Sequence, residues 1–270
     1  MKVLVTGSSG FIGTNLMAAL GDNGVPFDLK TGQDARSLLD LERALPTVNA
    51  VVHLAADSGV ERSIINPVST LDNVMGAVAV LEGCRRFRLP VVLASTAGAL
   101  GGPPRSPYAA SKLAGEGYAS AYASAYGLSV AVARFGNVYG PHCGAKVSAL
   151  PLLMRAALAG QPFERFGSGA QRRDFVFVGD ICQGILMVLR NRVSGTLNLA
   201  SGELTSLNRV IELVSELAGN HVQVIERQAR KGEARVEAID ISHARRLGYS
   251  PTGLREGLRR TWEWCARQQP

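Results

Sequence analysis

Short apolar runs punctuate the first half of the chain at Lys2 to Thr6, Val25 to Leu29, Asn49 to Leu54, Val91 to Ala94 and Val130 to Arg134. Each reads as a β-strand. Between them apolar residues return at helical spacing, as at Leu16 and Leu20. Strands that alternate with helices in this way predict a parallel sheet with helices on both faces, hence a doubly wound α/β fold of the Rossmann type. After Pro141 the pattern loosens into Gly-, Pro- and Arg-rich pieces, with Asp174 to Val178 and Thr196 to Ala200 as strands able to rejoin the sheet. The predicted organisation is a Rossmann domain formed by 1–141 and 170–200. A smaller C-terminal substrate-binding lobe, 142–169 and 201–270, covers the carboxyl edge of the sheet.

Gly7-Ser8-Ser9-Gly10-Phe11-Ile12-Gly13 falls between the first strand and the first helix. That is the context a phosphate-binding turn needs. Gly7 permits a tight turn, Gly10 lets the backbone approach a pyrophosphate, and Gly13 allows close packing of helix on strand. The pyrophosphate then sits at a positive helix N-terminus.

The candidate chemistry lies further along. Thr96 ends the run that starts at Val91, which puts its hydroxyl at the carboxyl edge where open α/β sheets bind ligands. Twelve residues later come Tyr108 and Lys112, at i and i+4 on one face of a helix. An unperturbed tyrosine ionises near pH 10, so work as a base near neutrality needs roughly 3 to 4 kcal/mol of preferential stabilisation of the phenolate. A nearby ammonium and a cationic nicotinamide ring supply charge of the right sign.

Composition narrows the class. The chain has 270 residues, 46% of them hydrophobic, enough for one large core or two modest ones. No apolar run approaches the ~20 residues of a membrane span, and the first apolar run stops at Thr6-Gly7, before a signal-peptide core could form. A cytoplasmic protein is expected. Cys84, Cys143, Cys182 and Cys265 are scattered, so neither a metal site nor a disulfide framework is expected. Net charge is +7, but the arginines are dispersed, which argues against nucleic acid and is compatible with a phosphate-bearing ligand.

Taken in order, the motifs resemble the extended short-chain dehydrogenase/reductase family, in its NAD-dependent epimerase/dehydratase group acting on nucleotide sugars. Besides the glycine turn they comprise His53-Leu54-Ala55-Ala56, Asn73-Val74-Met75-Gly76, Ser95-Thr96, Tyr108-Ala109-Ala110-Ser111-Lys112, Arg134-Phe135-Gly136-Asn137-Val138-Tyr139-Gly140-Pro141 and Arg172-Arg173-Asp174-Phe175. The resemblance implies Tyr108 as acid/base, Lys112 as ribose anchor and electrostatic helper, and Thr96 as the hydroxyl that polarises the sugar oxygen. It implies a cofactor site at Gly7, Gly10, Phe11, Ile12, Gly13, Leu54, Ala55, Ala56, Asn73 and Ser95, together with Tyr108 and Lys112. Asn137 and Arg173 are implied as substrate contacts, with Arg230 or Arg235 as a second phosphate-binding arginine. It also implies a homodimer built on helices near Asp72 to Phe87 and Tyr108 to Tyr126.

The departures from the family pattern choose the reaction. Sugar 4,6-dehydratases carry an Asp-Glu pair after the catalytic Ser or Thr, where this chain has Ala97-Gly98. Elimination of water is therefore disfavoured, which leaves reversible hydride transfer at one carbon. Asp34 is the expected adenine contact, Asp28 comes slightly early for the ribose acid, and Lys30 is placed to neutralise a 2′-phosphate. The preferred reading is an NAD-dependent nucleotide-sugar 4-epimerase. An NADP(H)-dependent 4-ketoreductase or dehydrogenase and a non-catalytic dinucleotide sensor are the alternatives. The step from Thr96 to Tyr108 is shorter than the family pattern, and the resemblance implies a trimmed roof over the sugar, which is compatible with a wider pocket, a different sugar or a site closed by another subunit.

Overall fold

The computed structural model describes residues 1–99, 102–143, 148–228 and 238–268. From the N-terminus the elements run β1 (Val3–Thr6), α1 (Phe11–Leu20), β2 (Gly24–Phe27), α2 (Leu38–Ala44), β3 (Ala50–His53), α3 (Val60–Ile65), α4 (Leu71–Phe87), β4 (Val91–Thr96), α5 (Pro107–Tyr126) and β5 (Val130–Phe135). They continue as β6 (Asn137–Tyr139), α6 (Ala149–Leu158), β7 (Phe163–Phe166), β8 (Arg172–Arg173), β9 (Phe175–Phe177), α7 (Val178–Arg190) and β10 (Gly195–Leu199). The last are β11 (Thr205–Ser206), α8 (Leu207–Ala218), β12 (Val224–Arg227), α9 (Ser242–Arg246) and α10 (Leu254–Ala266). The chain divides into two units, the first being Met1–Phe135, Cys182–Leu199 and Ser242–Tyr249 and the second Gly136–Ile181, Ala200–Ile241 and Ser250–Pro270. Residues 170–181 thus group with the second unit and Ser242–Tyr249 with the first.

The first unit holds a six-stranded sheet in the order β10-β5-β4-β3-β1-β2, every neighbouring pair parallel. β1, β3 and β4 are buried along almost their whole length, as expected of strands covered on both faces. β2 is the edge strand and carries Pro26, which cannot donate to a ladder and is tolerated there. The chain steps from β1 outward to β2, then returns across it to β3 on the other side of β1. That reversal opens a crevice at the carboxyl ends of β1 and β3. Leu4, Phe27, Leu41, Leu45, Val51, Val80, Leu81, Cys84, Val91 and Leu93 form one buried cluster behind it.

In the second unit α6, α8 and α10 pack on one another, and the strands pair in twos: β6 with β9, β7 with β12 and β8 with β11. The segment Asp174 to Val178 does not rejoin the large sheet; its strand, β9, lies parallel to β6. Thr196 to Ala200 does rejoin it, as β10 beside β5. The difference has a physical source at Asp174, which is fully buried and accepts from Ser201 N, Ser201 Oγ and Gly202 N, each at 2.8 Å. Asp180 is anchored in the same way by the Thr252 amide and hydroxyl, at 2.8 and 2.7 Å. These carboxylates tie loops together, which periodicity along the chain does not reveal.

Candidate functional site

The glycine turn is fixed by backbone contact. Gly7 has φ +72°, and a Cβ there would meet the Ala55 amide at 2.7 Å; a Cβ on Gly13 would meet the Gly7 carbonyl at 2.1 Å. Neither position accepts a side chain. Gly10 caps α1 without a side-chain bond, and the first turn of that helix holds no acidic residue. Positive partial charge at this helix end is therefore left for an anionic group.

A cavity of about 370 Å³ opens beside the turn, lined by Gly7, Gly10, Lys30, Asp34, Leu54, Ala55, Ala56 and Asn73 among others. Phe11, Ile12 and Gly13 lie just beyond it on α1, and Ser95, Tyr108 and Lys112 belong to the β4–α5 side. Asp28, slightly early by sequence for the ribose acid, follows directly on β2 and lines the cavity. Its carboxylate accepts from the Ser9 amide and the Lys30 amide, both at 2.9 Å. Lys30 is exposed on a single 3₁₀ turn. Asp34 is engaged by Arg36, whose guanidinium also pairs with Asp72 of α4 at 2.7 Å. The Arg36 partnership holds the Asp34 carboxyl below its ordinary range.

At the other side of the crevice, β4 and β5 pair as far as Thr96 and Phe135. The Thr96 hydroxyl is half-buried and accepts from the Gly98 amide at 3.1 Å. α5 begins at Pro107 under a Ser106 cap, which accepts from the Ala109 amide at 3.1 Å. The helix thus starts immediately before Tyr108 and presents Tyr108 and Lys112 one turn apart on one face. Lys112 is buried, donates from Nζ to the Ala94 carbonyl at 3.1 Å, and is pushed down to about 8 by burial. Tyr108 moves the other way. Burial, and secondly the charge of Asp57, push its phenol up to about 12.

Three further groups complete this half. Ser95 Oγ donates to Glu116 of α5 at 2.5 Å, and Glu116 also accepts from Arg134 Nε and Nη2 at 2.9 and 2.5 Å. Asn73 accepts from the Asp57 amide at 2.8 Å and donates to the Asp57 carbonyl and Ser111 Oγ, each at 3.1 Å. His53 Nδ1 lies 2.7 Å from Thr6 Oγ1, and burial holds its imidazole down at about 3, with Lys112 as a second cause. Asp28, Asp57, Glu116 and Arg134 are not among the site residues that the sequence motifs single out. A signal for Glu116 is present in its spacing, eight residues after Tyr108 and four after Lys112.

In the second unit, Asn137 starts β6, is exposed, and donates its amide to the Asp174 carbonyl at 2.7 Å. Arg173 pairs with Thr205 across β8 and β11, and its guanidinium donates to the Arg172 carbonyl at 2.9 Å. Arg230 and Arg235 lie outside the described residues. Among the described residues no helix is long and apolar enough to cross a membrane.

The model of the NAD dependent epimerase/dehydratase family matches residues 3–200. A UDP-glucuronate 4-epimerase of Thermodesulfobacterium geofontis is 33% identical over 235 residues, covering 81% of this chain and 72% of that protein. UDP-glucose 4-epimerase of Thermotoga maritima, solved with UDP-glucose, superposes with a TM-score of 0.92 at 27% identity over 99% of both chains. UDP-glucose 4-epimerase of Thermus thermophilus, solved with NAD, gives 0.89 at 30% identity, again over 99% of both. By sequence and by fold, the chain belongs to the NAD-dependent epimerase/dehydratase family.

Proposed function

We propose that this chain is an NAD-dependent nucleotide-sugar 4-epimerase. The observation that carries the reading is the pairing of α5 with the end of β4: a buried Lys112 on the Ala94 carbonyl, Tyr108 one turn earlier, and the Thr96 hydroxyl two residues beyond. An ammonium has three donors, and Ala94 takes one, so two are left for ribose hydroxyls. Tyr108 accepts the proton of the sugar hydroxyl and returns it, with Thr96 holding that oxygen. Bound NAD supplies a hydride acceptor, and its cationic ring favours the phenolate.

The fit to NAD rests on this chain's own groups. Gly7 and Gly13 let the turn close on Ala55 and on its own backbone, Gly10 leaves its backbone open to the diphosphate, the uncapped start of α1 meets that charge, and Asp28 at the cavity wall would accept from the adenosine ribose. A carboxylate at that point opposes a 2′-phosphate, which favours NAD over NADP. Asp34 belongs to the adenine side, and Leu54, Ala55, Ala56 and Asn73 to the wall between the two halves. In the second unit Asn137 and Arg173 are the substrate contacts; Arg173 suits a diphosphate because its guanidinium fork matches paired oxygens. The absence of acids at Ala97 and Gly98 argues against dehydration, since elimination needs a second base.

The assembly in this reading is a homodimer. Ile64, Ile65, Val68, Leu71, Met75, Tyr118 and Tyr126 are exposed on α3, α4, α5 and the turn between α3 and α4, an unusual density of apolar side chains for a free surface. A second copy of the same helices covers them.

Purified protein tests the reading. It should carry NAD and interconvert UDP-glucose and its 4-epimer with no added cofactor, followed by proton NMR. Protein that emerges without NAD and instead binds and consumes NADPH with a 4-keto sugar would assign it as a reductase.

A further inference from the structure

We infer that Glu116 is a positioning residue for catalysis, one that sets Tyr108 on α5 against Thr96 on β4. The inference rests on the reading that these two side chains meet one sugar oxygen. Glu116 accepts three hydrogen bonds: from Ser95 Oγ at 2.5 Å and from Arg134 Nε and Nη2 at 2.9 and 2.5 Å. Ser95 and Arg134 are register partners on β4 and β5, so one carboxylate grips both strands at their carboxyl ends. On α5, Glu116 lies one turn beyond Lys112 and two beyond Tyr108 along the same face.

The helix is therefore held to β4 at two points. Lys112 binds the carbonyl of Ala94, and Glu116 binds the side chain of Ser95, the next residue. Beyond the packing of α5 on α4, β4 and β5, these two polar contacts a turn apart give the helix a specific rotation and axial setting against the end of β4. Thr96 follows directly on the gripped residues, so the same pair of contacts sets the gap that Tyr108 must span. The Glu116 and Arg134 side chains are only 10% and 21% exposed. A largely buried ion pair is weak support for stability, because apolar replacement of such pairs is often neutral; fixing registry is its better-attested use. A displacement of about 1 Å at reacting groups costs on the order of 10²-fold in rate. The Ser95 hydroxyl, its one hydrogen directed at Glu116, is left to accept from a neighbouring ligand.

The test is a double-mutant cycle on NAD-loaded enzyme with UDP-glucose. Glu116→Gln keeps the shape of the side chain, and Glu116→Gln with Arg134→Gln removes both charges so that no guanidinium is left unpaired, which keeps the test usable where the single variant folds poorly. In either background kcat should fall about 10- to 100-fold, with KM and NAD affinity within about threefold of the parent. Thr96→Ala should then cost at least about fivefold less than it does in the parent, because a hydroxyl already out of alignment has less to lose. A merely structural role for Glu116 predicts that the two losses multiply independently; that result, or an unchanged kcat, would overturn the inference. Parental turnover in Thr96→Ala and Tyr108→Phe of the otherwise unaltered chain would instead remove the epimerase reading beneath it, a result separable from independence.

Discussion

At the scale of the residue, Tyr108, the proposed acid/base, is held protonated by its surroundings. Burial and Asp57 push the Tyr108 phenol up to about 12. Burial brings Lys112 to about 8, so near neutrality it is still mostly charged. A phenol that titrates far above neutrality is a proton donor, and only an added positive charge makes it a base. Binding of NAD should therefore shift the tyrosinate absorbance that is lost in Tyr108→Phe toward lower pH; an absorbance that titrates identically with and without NAD would contradict this. Tyr108→Phe should lose about 10² to 10⁴ in kcat while binding NAD normally by calorimetry. Asp57→Asn removes the charge that disfavours the phenolate, so the alkaline rise of the kcat profile should move to lower pH. His53 makes a stability prediction with the opposite chemistry. Its folded imidazole stays neutral to about pH 3, whereas the unfolded one takes a proton near 6.5, so the unfolded chain binds more protons between those values. Stability is fully present above pH 6.5 and declines below it by up to about 1.4 kcal/mol per pH unit. Urea melts at pH 7 and pH 5 should show a smaller loss in His53→Asn than in the parent.

At the scale of the element, two short stretches do most of the positioning: the turn from β1 into α1 and the first turns of α5. Gly13→Ala forces a Cβ to within 2.1 Å of the Gly7 carbonyl, which belongs to backbone and cannot swing away. The variant should lose about 2 kcal/mol, a fall of roughly 4 to 8 °C in Tm by scanning calorimetry, and should bind NAD weakly. These stretches are legible in the sequence because their logic is local: glycine spacing after a strand, and i, i+4 spacing in a helix. Asp28 is nearly legible, but the apolar run extends to Leu29 whereas the strand ends at Phe27, which displaces the expected position of the acid. The grip of Glu116 on Ser95 and Arg134 is not legible, since it joins residues 21 and 18 positions apart that only strand pairing brings together. Asp174 likewise stands within a recognisable motif, yet its work is to anchor the Ser201–Gly202 turn.

At the scale of the whole molecule, the parallel sheet and its reversal point place the cavity, and α4 and α5 expose the apolar side chains that the proposed dimer covers. Sedimentation should find a dimer, and Met75→Glu combined with Tyr118→Glu should yield a folded monomer; a monomeric parent protein would remove the proposed interface. In the proposed epimerase one site takes a hydride from the sugar and gives it back. UDP-glucose carrying deuterium at C4, incubated with the purified protein and no added cofactor, tests this most directly. Proton NMR should find the 4-epimer with its deuterium retained at C4, whereas a C4 proton in the product, drawn from outside the site, or no epimer at all, would contradict the account.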